Sequence, residues 1–262
     1  PVDDPADQPT MDPSMEYGIH NTYTLAHMSA AAYSGATGED VTKNDVTAKL
    51  PKKLRDAAWR ADEVTSNESG LHAVLFKNSN SGEYVLAFAG TALTFTQLQD
   101  LTTDINQAVG LKAQQYEEAI QLAKALKDDL GDDAESKIRF TGHSLGGGLA
   151  SAAALVTGIK AETFNAAGVH KNTVARHGVE PGMIDMLATD LINAYRVHWA
   201  TGVVADPLSL IQSAADAAGK LSLITGNTGK TIKIKLPILP TPLSALHPHG
   251  MQAVLEAGGW NN

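Results

Sequence analysis

The 262-residue sequence contains no cysteine, which excludes disulfides, a thiolate nucleophile and cysteine-bound metal. Aromatic residues are scarce at 5%, so the core must be built mainly from Ala, Leu, Val and Ile. No apolar run approaches the roughly 18–20 residues of a membrane-spanning helix, and we therefore expect no transmembrane segment. The net charge of −9 argues against a nucleic-acid partner, because phosphate neutralisation needs a basic face.

Residues 1–16 differ in composition from the rest of the chain. They carry four prolines and five acidic residues without a single Lys or Arg. Such a stretch predicts a solvated linker or arm, and we assign 17–262 to one folded domain. The sequence has no initiator Met and no hydrophobic signal segment, from which we expect a mature chain or a domain of a longer protein.

From Tyr17 onward, strand and helix signals alternate. Apolar periodicity and turn residues predict helices over 21–33, 111–130 and 145–157, and strands over 72–76, 84–89, 138–141, 161–165 and 195–200. This alternation predicts an α/β fold with a largely parallel central sheet flanked by helices. The alternation of strand and helix signals does not continue through residues 207–247, which mix Leu, Ile, Pro and Gly with four lysines and one Asp. We predict a cap or insertion there.

The strongest chemical signal is the segment Thr141–Ala150 (TGHSLGGGLA). A β run enters this Gly-x-Ser-x-Gly pattern and a helix of small residues leaves it, which is the context of a strained strand-to-helix turn that exposes a nucleophilic serine. We therefore predict Ser144 as the nucleophile. The main-chain N–H of Leu145, at the start of the following helix, is predicted to point at a developing oxyanion.

Residues 142–150 resemble the nucleophile elbow of the class 3, fungal-type lipases of the α/β-hydrolase fold, whose bacterial relatives include phospholipases and secretion-system effectors. The strand Leu86–Thr91 (LAFAGT) is similar to the family strand that ends in Gly-Thr, and the resemblance implies that Thr91 completes the oxyanion hole. Ala89 departs from the Arg that the family often has before this Gly. The family Trp is absent from the stretch Gln97–Asp100.

A seryl nucleophile needs a base and a carboxylate that orients it, and in this fold the chain order is Ser, acid, His. Asp206 follows the strand predicted over 195–200, while Asp185 and Asp190 in a predicted helix remain alternatives. His249 heads the final predicted helix in a segment that resembles the family's terminal one, and His247 is its competitor. No cluster of His, Asp and Glu completes a metal site around this pair, so neither metal nor cofactor is expected.

The resemblance also implies a lid and a lipid substrate. The family places its lid after the oxyanion strand, where Leu93, Phe95 and Leu98 are the candidate substrate contacts, with His143 of the elbow beside them. The predicted function is serine-dependent hydrolysis of lipid esters by a phospholipase or lipase that touches a membrane or micelle surface without spanning it. An effector of this kind would be secreted or delivered to a target cell and would meet an immunity protein.

Two other functions remain open at this stage. The same triad could act on a soluble ester, a thioester or an acyl-transfer acceptor. A non-catalytic binding module with this fold is the other alternative, although the presence of Ser144, Asp206 and His249 together weighs against it.

Overall fold

The structure is a computed structural model, and it describes residues 16–36, 40–90, 105–199, 223–224, 229–236 and 251–260. The helices are α1 (Thr22–Ala31), α2 (Lys43–Lys49), α3 (Lys52–Asp56), α4 (Ile105–Leu130), α5 (Ala134–Lys137), α6 (Leu145–Thr157), α7 (Lys171–Ala175), α8 (Ile184–Leu191) and α9 (Met251–Gly258). The strands are β1 (Trp59–Ser66), β2 (His72–Asn78), β3 (Tyr84–Phe88), β4 (Ile138–His143), β5 (Ala161–Phe164), β6 (Val169–His170), β7 (Ile192–Trp199), β8 (Leu223–Ile224) and β9 (Lys230–Leu236).

Seven strands form the main sheet in the order β1-β2-β3-β4-β5-β7-β9. The first three are joined in antiparallel pairs, and the pairs from β3 to β9 are all parallel. A separate antiparallel pair joins β6 and β8. The predicted α/β fold with a mostly parallel sheet is confirmed.

Side chains alternate between the two faces of the sheet and build two apolar layers. Leu86 and Phe88 of β3 pack with α4, α6 and α8, whereas Val85 and Ala87 pack with α1, α2 and α3. A third cluster, on β5, β7 and α9, contains Phe164 and Tyr195 and receives α1 through Ala26. Helices therefore cover both faces, as a parallel sheet requires.

Local signals account for most of these elements. Asn21 caps α1 by accepting a hydrogen bond from the Tyr23 N–H at 2.9 Å, as an N-cap side chain does. Gly158 ends α6 in the left-handed conformation with φ of 79°. The strands predicted over 72–76 and 84–89 form the antiparallel β2–β3 hairpin, and the helix predicted over 111–130 begins at Ile105.

Two differences from the sequence prediction concern the edges of the sheet. Strand β1 was not predicted, because five of its eight residues are charged or hydroxylated and its buried positions do not alternate regularly. Residues 230–236, predicted as part of the 207–247 insertion, form β9 and pair in parallel with β7. This part of the segment therefore belongs to the core sheet, since Ile232 and Ile234 pack against the cluster around α9. Of the remaining part, the structure describes only residues 223–224 and 229.

Candidate active site

Ser144 lies between β4 and α6, in the strand–turn–helix setting that its sequence context predicts. Its backbone has φ of 57° and ψ of −127°, a conformation that costs a non-glycine residue about 1–3 kcal/mol. Three main-chain hydrogen bonds hold this conformation. The Ser144 N–H donates to the Phe164 carbonyl at 3.1 Å, and the Ser144 carbonyl accepts from Ala167 at 2.8 Å and from Gly148 at 3.2 Å.

The elbow and the end of β3 are in direct contact, because glycine occupies both sides of the contact. A Cβ on Gly146 would lie 2.7 Å from the Ala89 carbonyl carbon and 2.8 Å from the Gly90 nitrogen. A Cβ on Gly90 would in turn lie 3.2 Å from the Ser144 Cβ. Gly90, which precedes Thr91, is therefore beside the candidate nucleophile, and Leu145, the first residue of α6, directly follows Ser144 in the chain.

The ring of His143 lies away from open solvent and packs against Tyr33. His143 is buried, and its Nδ1 lies 2.7 Å from the Tyr33 hydroxyl oxygen. The same hydroxyl lies 3.2 Å from the His143 carbonyl oxygen and also accepts the Gly90 N–H. Burial raises the pKa of the Tyr33 phenol well above its ordinary value. Sequence reasoning assigned Tyr33 only to the first helix, because no local pattern links it to a turn 110 residues away.

Several predicted site residues lie outside the described residues: Thr91, Leu93, Phe95, Leu98, Asp206, His247 and His249. The structure does describe the elements that flank them. β3 and Gly90 lead into Thr91, β7 ends at Trp199 before Asp206, and α9 begins at Met251 after His249. Carboxyl ends of parallel strands meet at one edge of a sheet, so β3, β4 and β7 all end on the side where Ser144 lies.

The alternative acids lie on α8, the helix that directly precedes β7. Asp185 is an exposed residue that pairs with Lys171 at 2.9 Å, and Asp190 is exposed near the end of the helix. Because α8 leads into the amino end of β7, both carboxylates precede the strand that runs toward the Ser144 edge.

Histidines other than His143 whose side chains are described each have a partner of their own. His27 contacts the Trp260 carbonyl, His72 contacts Ser66 and Ser34, and His20 contacts Arg139. His177 contacts Glu117, and His170 accepts the Asn172 N–H. Each of these five rings therefore has a contact within the described part of the chain.

Neither a membrane-spanning helix nor a metal-binding cluster was found among the residues that the structure describes. None of its helices has both the length and the apolar character that a bilayer crossing requires. No group of three or more His, Asp or Glu residues in the described ranges is arranged to hold a metal ion.

Residues 24–257 match the family described as the Tle-like phospholipase domain, a span that runs from α1 to α9. The chain belongs to this phospholipase family. It is also 45% identical over 166 residues to the extracellular phospholipase A1 of Serratia liquefaciens. That alignment covers 61% of this chain and 46% of the relative, so the chain spans about half the length of the curated protein it matches.

The Tle-like chain also shares its fold with a solved lipase. Its structure is similar to that of the Lip2 lipase from Yarrowia lipolytica, with a TM-score of 0.51 and 15% sequence identity. The similarity covers 85% of this chain and 80% of the lipase. The predicted fold is thus confirmed, and the family that the match shows is a phospholipase family.

Proposed function

We propose that this chain is a serine hydrolase that cleaves carboxylic esters of phospholipids, with Ser144 as nucleophile, His249 as base and Asp206 as the orienting acid. The observation that carries the proposal is the strained Ser144 turn at the carboxyl edge of the sheet, with Gly90 packed beside it. A positive φ at a serine between a strand and a helix is costly, and such strain is concentrated at functional sites.

The packing of α9 against α1 supports His249 as the base. The Ser29 hydroxyl lies 3.9 Å from the Met251 sulfur, so α9 begins beside the last turns of α1. Tyr33 follows that same end of α1 and contacts the elbow through His143. His249 precedes Met251 by only two residues, and consecutive Cα atoms are about 3.8 Å apart, so this position of α9 supports the proposal that His249 reaches Ser144.

The topology also supports Asp206 as the acid. It follows β7 by seven residues, on the segment that leaves the carboxyl end of the strand. Asp185 and Asp190 precede the same strand and are exposed on α8. A loop that continues from the carboxyl edge is the position from which a carboxylate can reach a base beside Ser144.

The proposed reaction is acyl transfer through an acyl-enzyme. Ser144 Oγ attacks the ester carbonyl carbon while His249 accepts its proton and Asp206 stabilises the imidazolium. The N–H of Leu145 and the backbone or hydroxyl of Thr91 stabilise the oxyanion, and loss of one such donor costs about 10²–10³ in kcat. His249 then protonates the leaving alcohol, and water, deprotonated by the same imidazole, releases the fatty acid.

Two observations favour phospholipid over triglyceride as substrate. The Serratia relative is a phospholipase A1 by name, and the family is a phospholipase family. In addition, the lysines of β9 (Lys230, Lys233 and Lys235) are exposed in a chain whose net charge is −9. Exposed lysines suit an anionic lipid surface, although lysines also protect exposed edge strands from pairing.

Labelling with a fluorophosphonate probe tests the nucleophile. Wild-type protein should be labelled, and Ser144→Ala should not. Loss of labelling in His249→Ala, with labelling retained in His247→Ala, would support His249 as the base. Asp206→Asn should reduce the labelling rate strongly, whereas Asp185→Asn should not. Absence of labelling in the wild type would favour the non-catalytic binding module.

Product analysis with defined phospholipids and triglycerides tests the substrate. A fatty acid and a lysophospholipid are expected from the phospholipid, and the position of the retained acyl chain reports regiospecificity. A rate that rises above the critical micelle concentration indicates an enzyme that acts at an interface. Equal rates on monomeric and micellar esters would instead favour a soluble acyl substrate.

The proposal extends to delivery of the enzyme outside its producing cell. The named Serratia relative is extracellular, and a lipid-cleaving effector would meet an immunity protein in cells that produce it. Expression directed to the bacterial periplasm should arrest growth with wild-type chain and not with Ser144→Ala. Growth unaffected by an active wild-type enzyme would contradict the effector role without affecting the hydrolase assignment.

A further inference from the structure

One hydroxyl group, that of Tyr33, connects the elbow to the end of β3. Its oxygen lies 2.7 Å from His143 Nδ1 and 3.2 Å from the His143 carbonyl oxygen. It also accepts a hydrogen bond from the main-chain N–H of Gly90. The two segments that must hold a fixed spacing around an oxyanion are therefore bonded to the same atom.

The donors and acceptors at this hydroxyl can be assigned. A phenol has one proton to donate and can accept from other donors. The Gly90 N–H uses one acceptor position, and the phenolic proton goes to His143, either to Nδ1 or to the carbonyl oxygen. The pKa of a phenol is ordinarily about 10, and burial raises that of Tyr33 further, so Tyr33 keeps this proton at any physiological pH.

The contact also explains why residue 90 is glycine. A Cβ at this position would lie 2.6 Å from the Tyr33 oxygen and 2.8 Å from the His143 carbonyl oxygen. Because the Gly90 N–H hydrogen-bonds to Tyr33, it is not the donor to the oxyanion, a role that the proposed mechanism gives to Thr91.

Tyr33 is itself held firmly at the end of α1. Its N–H donates to the Ala30 carbonyl at 3.2 Å, and the next carbonyl, that of Ser34, lies 2.9 Å from His72 Nε2. The lowered pKa of His72, caused by burial, favours the neutral ring, which can donate from Nε2 while Nδ1 accepts from Ser66 at 2.6 Å. The support for Tyr33 thus extends into the β1–β2 hairpin.

We propose that Tyr33 is a positioning residue that holds Gly90, the residue before the predicted oxyanion residue, at a fixed distance from the Ser144 elbow, so that the oxyanion site is preorganised before substrate binds. The proposal rests on the serine-hydrolase function proposed above. Preorganised donors matter in the transition state more than in the ground state, so loss of the hydroxyl should reduce kcat and leave KM largely unchanged.

The test compares Tyr33→Phe with Tyr116→Phe. Tyr116 is a matched control, since it is buried and its hydroxyl contacts a main-chain oxygen, that of Gly168, at 3.4 Å. With a soluble p-nitrophenyl ester, we expect Tyr33→Phe to lower kcat about 10- to 100-fold with KM within about twofold. The second-order rate of fluorophosphonate labelling should fall by a similar factor. Tyr116→Phe should leave both rates within about threefold of wild type.

Rates are normalised to the number of serines that react with the probe, so that unfolded protein does not enter the comparison. His143→Phe removes the ring nitrogen at the other end of the same contact and provides a second variant. If Tyr33 and His143 act through one contact, the kcat of the double variant should be only slightly lower than that of the less active single variant. Additive losses, a Tyr33→Phe kcat close to wild type, or a change confined to KM would each overturn the proposal.

The outcomes separate this proposal from the function on which it rests. An unlabelled, inactive wild type would contradict the hydrolase function itself. A wild type that is labelled and active, with an inactive Ser144→Ala and a normal Tyr33→Phe, would contradict only the positioning role.

Discussion

His27 Nε2 lies 2.9 Å from the carbonyl oxygen of Trp260, and this contact joins the first helix of the domain to the residue just beyond the last one. The Trp260 ring also meets Phe164 and Tyr195 edge-on, with centroid distances of 5.8 and 5.6 Å. The His27 contact and the contact between Ser29 and Met251 together hold α9 against α1 near both ends of α9. The helix that follows His249 is therefore anchored independently of the residues before it.

Stability should fall as the pH drops from about 7 toward 5. Burial lowers the pKa of His20, His27 and His72 below the model-peptide value of 6.5. In this range the unfolded chain binds more protons than the folded chain, so the free energy of unfolding decreases with decreasing pH. Urea unfolding at several pH values measures how steeply the free energy of unfolding changes with pH. His27→Gln should make this dependence less steep, and the double variant with His72→Gln should make it less steep still. An unchanged slope in both variants would contradict the explanation.

Gly146→Ala should destabilise the protein and abolish labelling of Ser144. Its Cβ would overlap main-chain atoms of Phe88, Ala89 and Gly90, none of which can move as a flexible side chain does. We expect a loss of about 2 kcal/mol or more in the free energy of unfolding. Gly182→Ala is the matched control, because no atom lies within 4 Å of its Cβ position, and its effect should stay within about 0.5 kcal/mol. Equal stability of the two variants would contradict the close approach.

Asn165 should prove sensitive to substitution for two separable reasons. Its side-chain oxygen accepts the Val197 N–H at 3.0 Å in the core, and its φ is 43°. Asn165→Ala loses the hydrogen bond, at about 1–3 kcal/mol, and places Ala in a left-handed conformation. Asn165→Gly loses the bond but tolerates the φ, so it should be about 1 kcal/mol more stable than Asn165→Ala. Chemical denaturation measures the stability of both variants. If Asn165→Ala were the more stable one, backbone strain at this position would be ruled out as a contributor.

The three β9 lysines should contribute to binding of anionic vesicles. Replacing Lys230, Lys233 and Lys235 with Gln should weaken binding roughly 10- to 100-fold at low salt, at up to about 1 kcal/mol for each lysine near the surface. The same replacement at Lys43, Lys49 and Lys52, which are exposed near the opposite edge of the sheet, is the matched control. Vesicle co-sedimentation measures the binding of both triple variants. Salt at about 0.5 M screens exposed charges, so it should remove the difference in binding between them. Equal binding by the two triple variants would leave only an edge-protecting role for the β9 lysines.

Local patterns in the sequence were sufficient for most of the sheet and for the Ser144 turn. The β2–β3 hairpin, β4 and α6 follow from apolar runs separated by turn residues, and Gly158 marks the end of α6. Strand β1 and strand β9 were missed because edge strands carry exposed polar residues on one side, which weakens the apolar run. The proposed roles of Asp206 and His249 came from chain order and family resemblance, and they stay predictions.

The sequence alone was enough to predict the strained turn at Ser144, since the strand, the glycines and the helix start that form it are adjacent in the chain. The contact between Tyr33 and His143, and the pairing of β9 with β7, were decided only by the tertiary fold. The physical reason is that periodicity and turn chemistry report whether a side chain is buried, whereas its partner depends on which distant segments the sheet brings together.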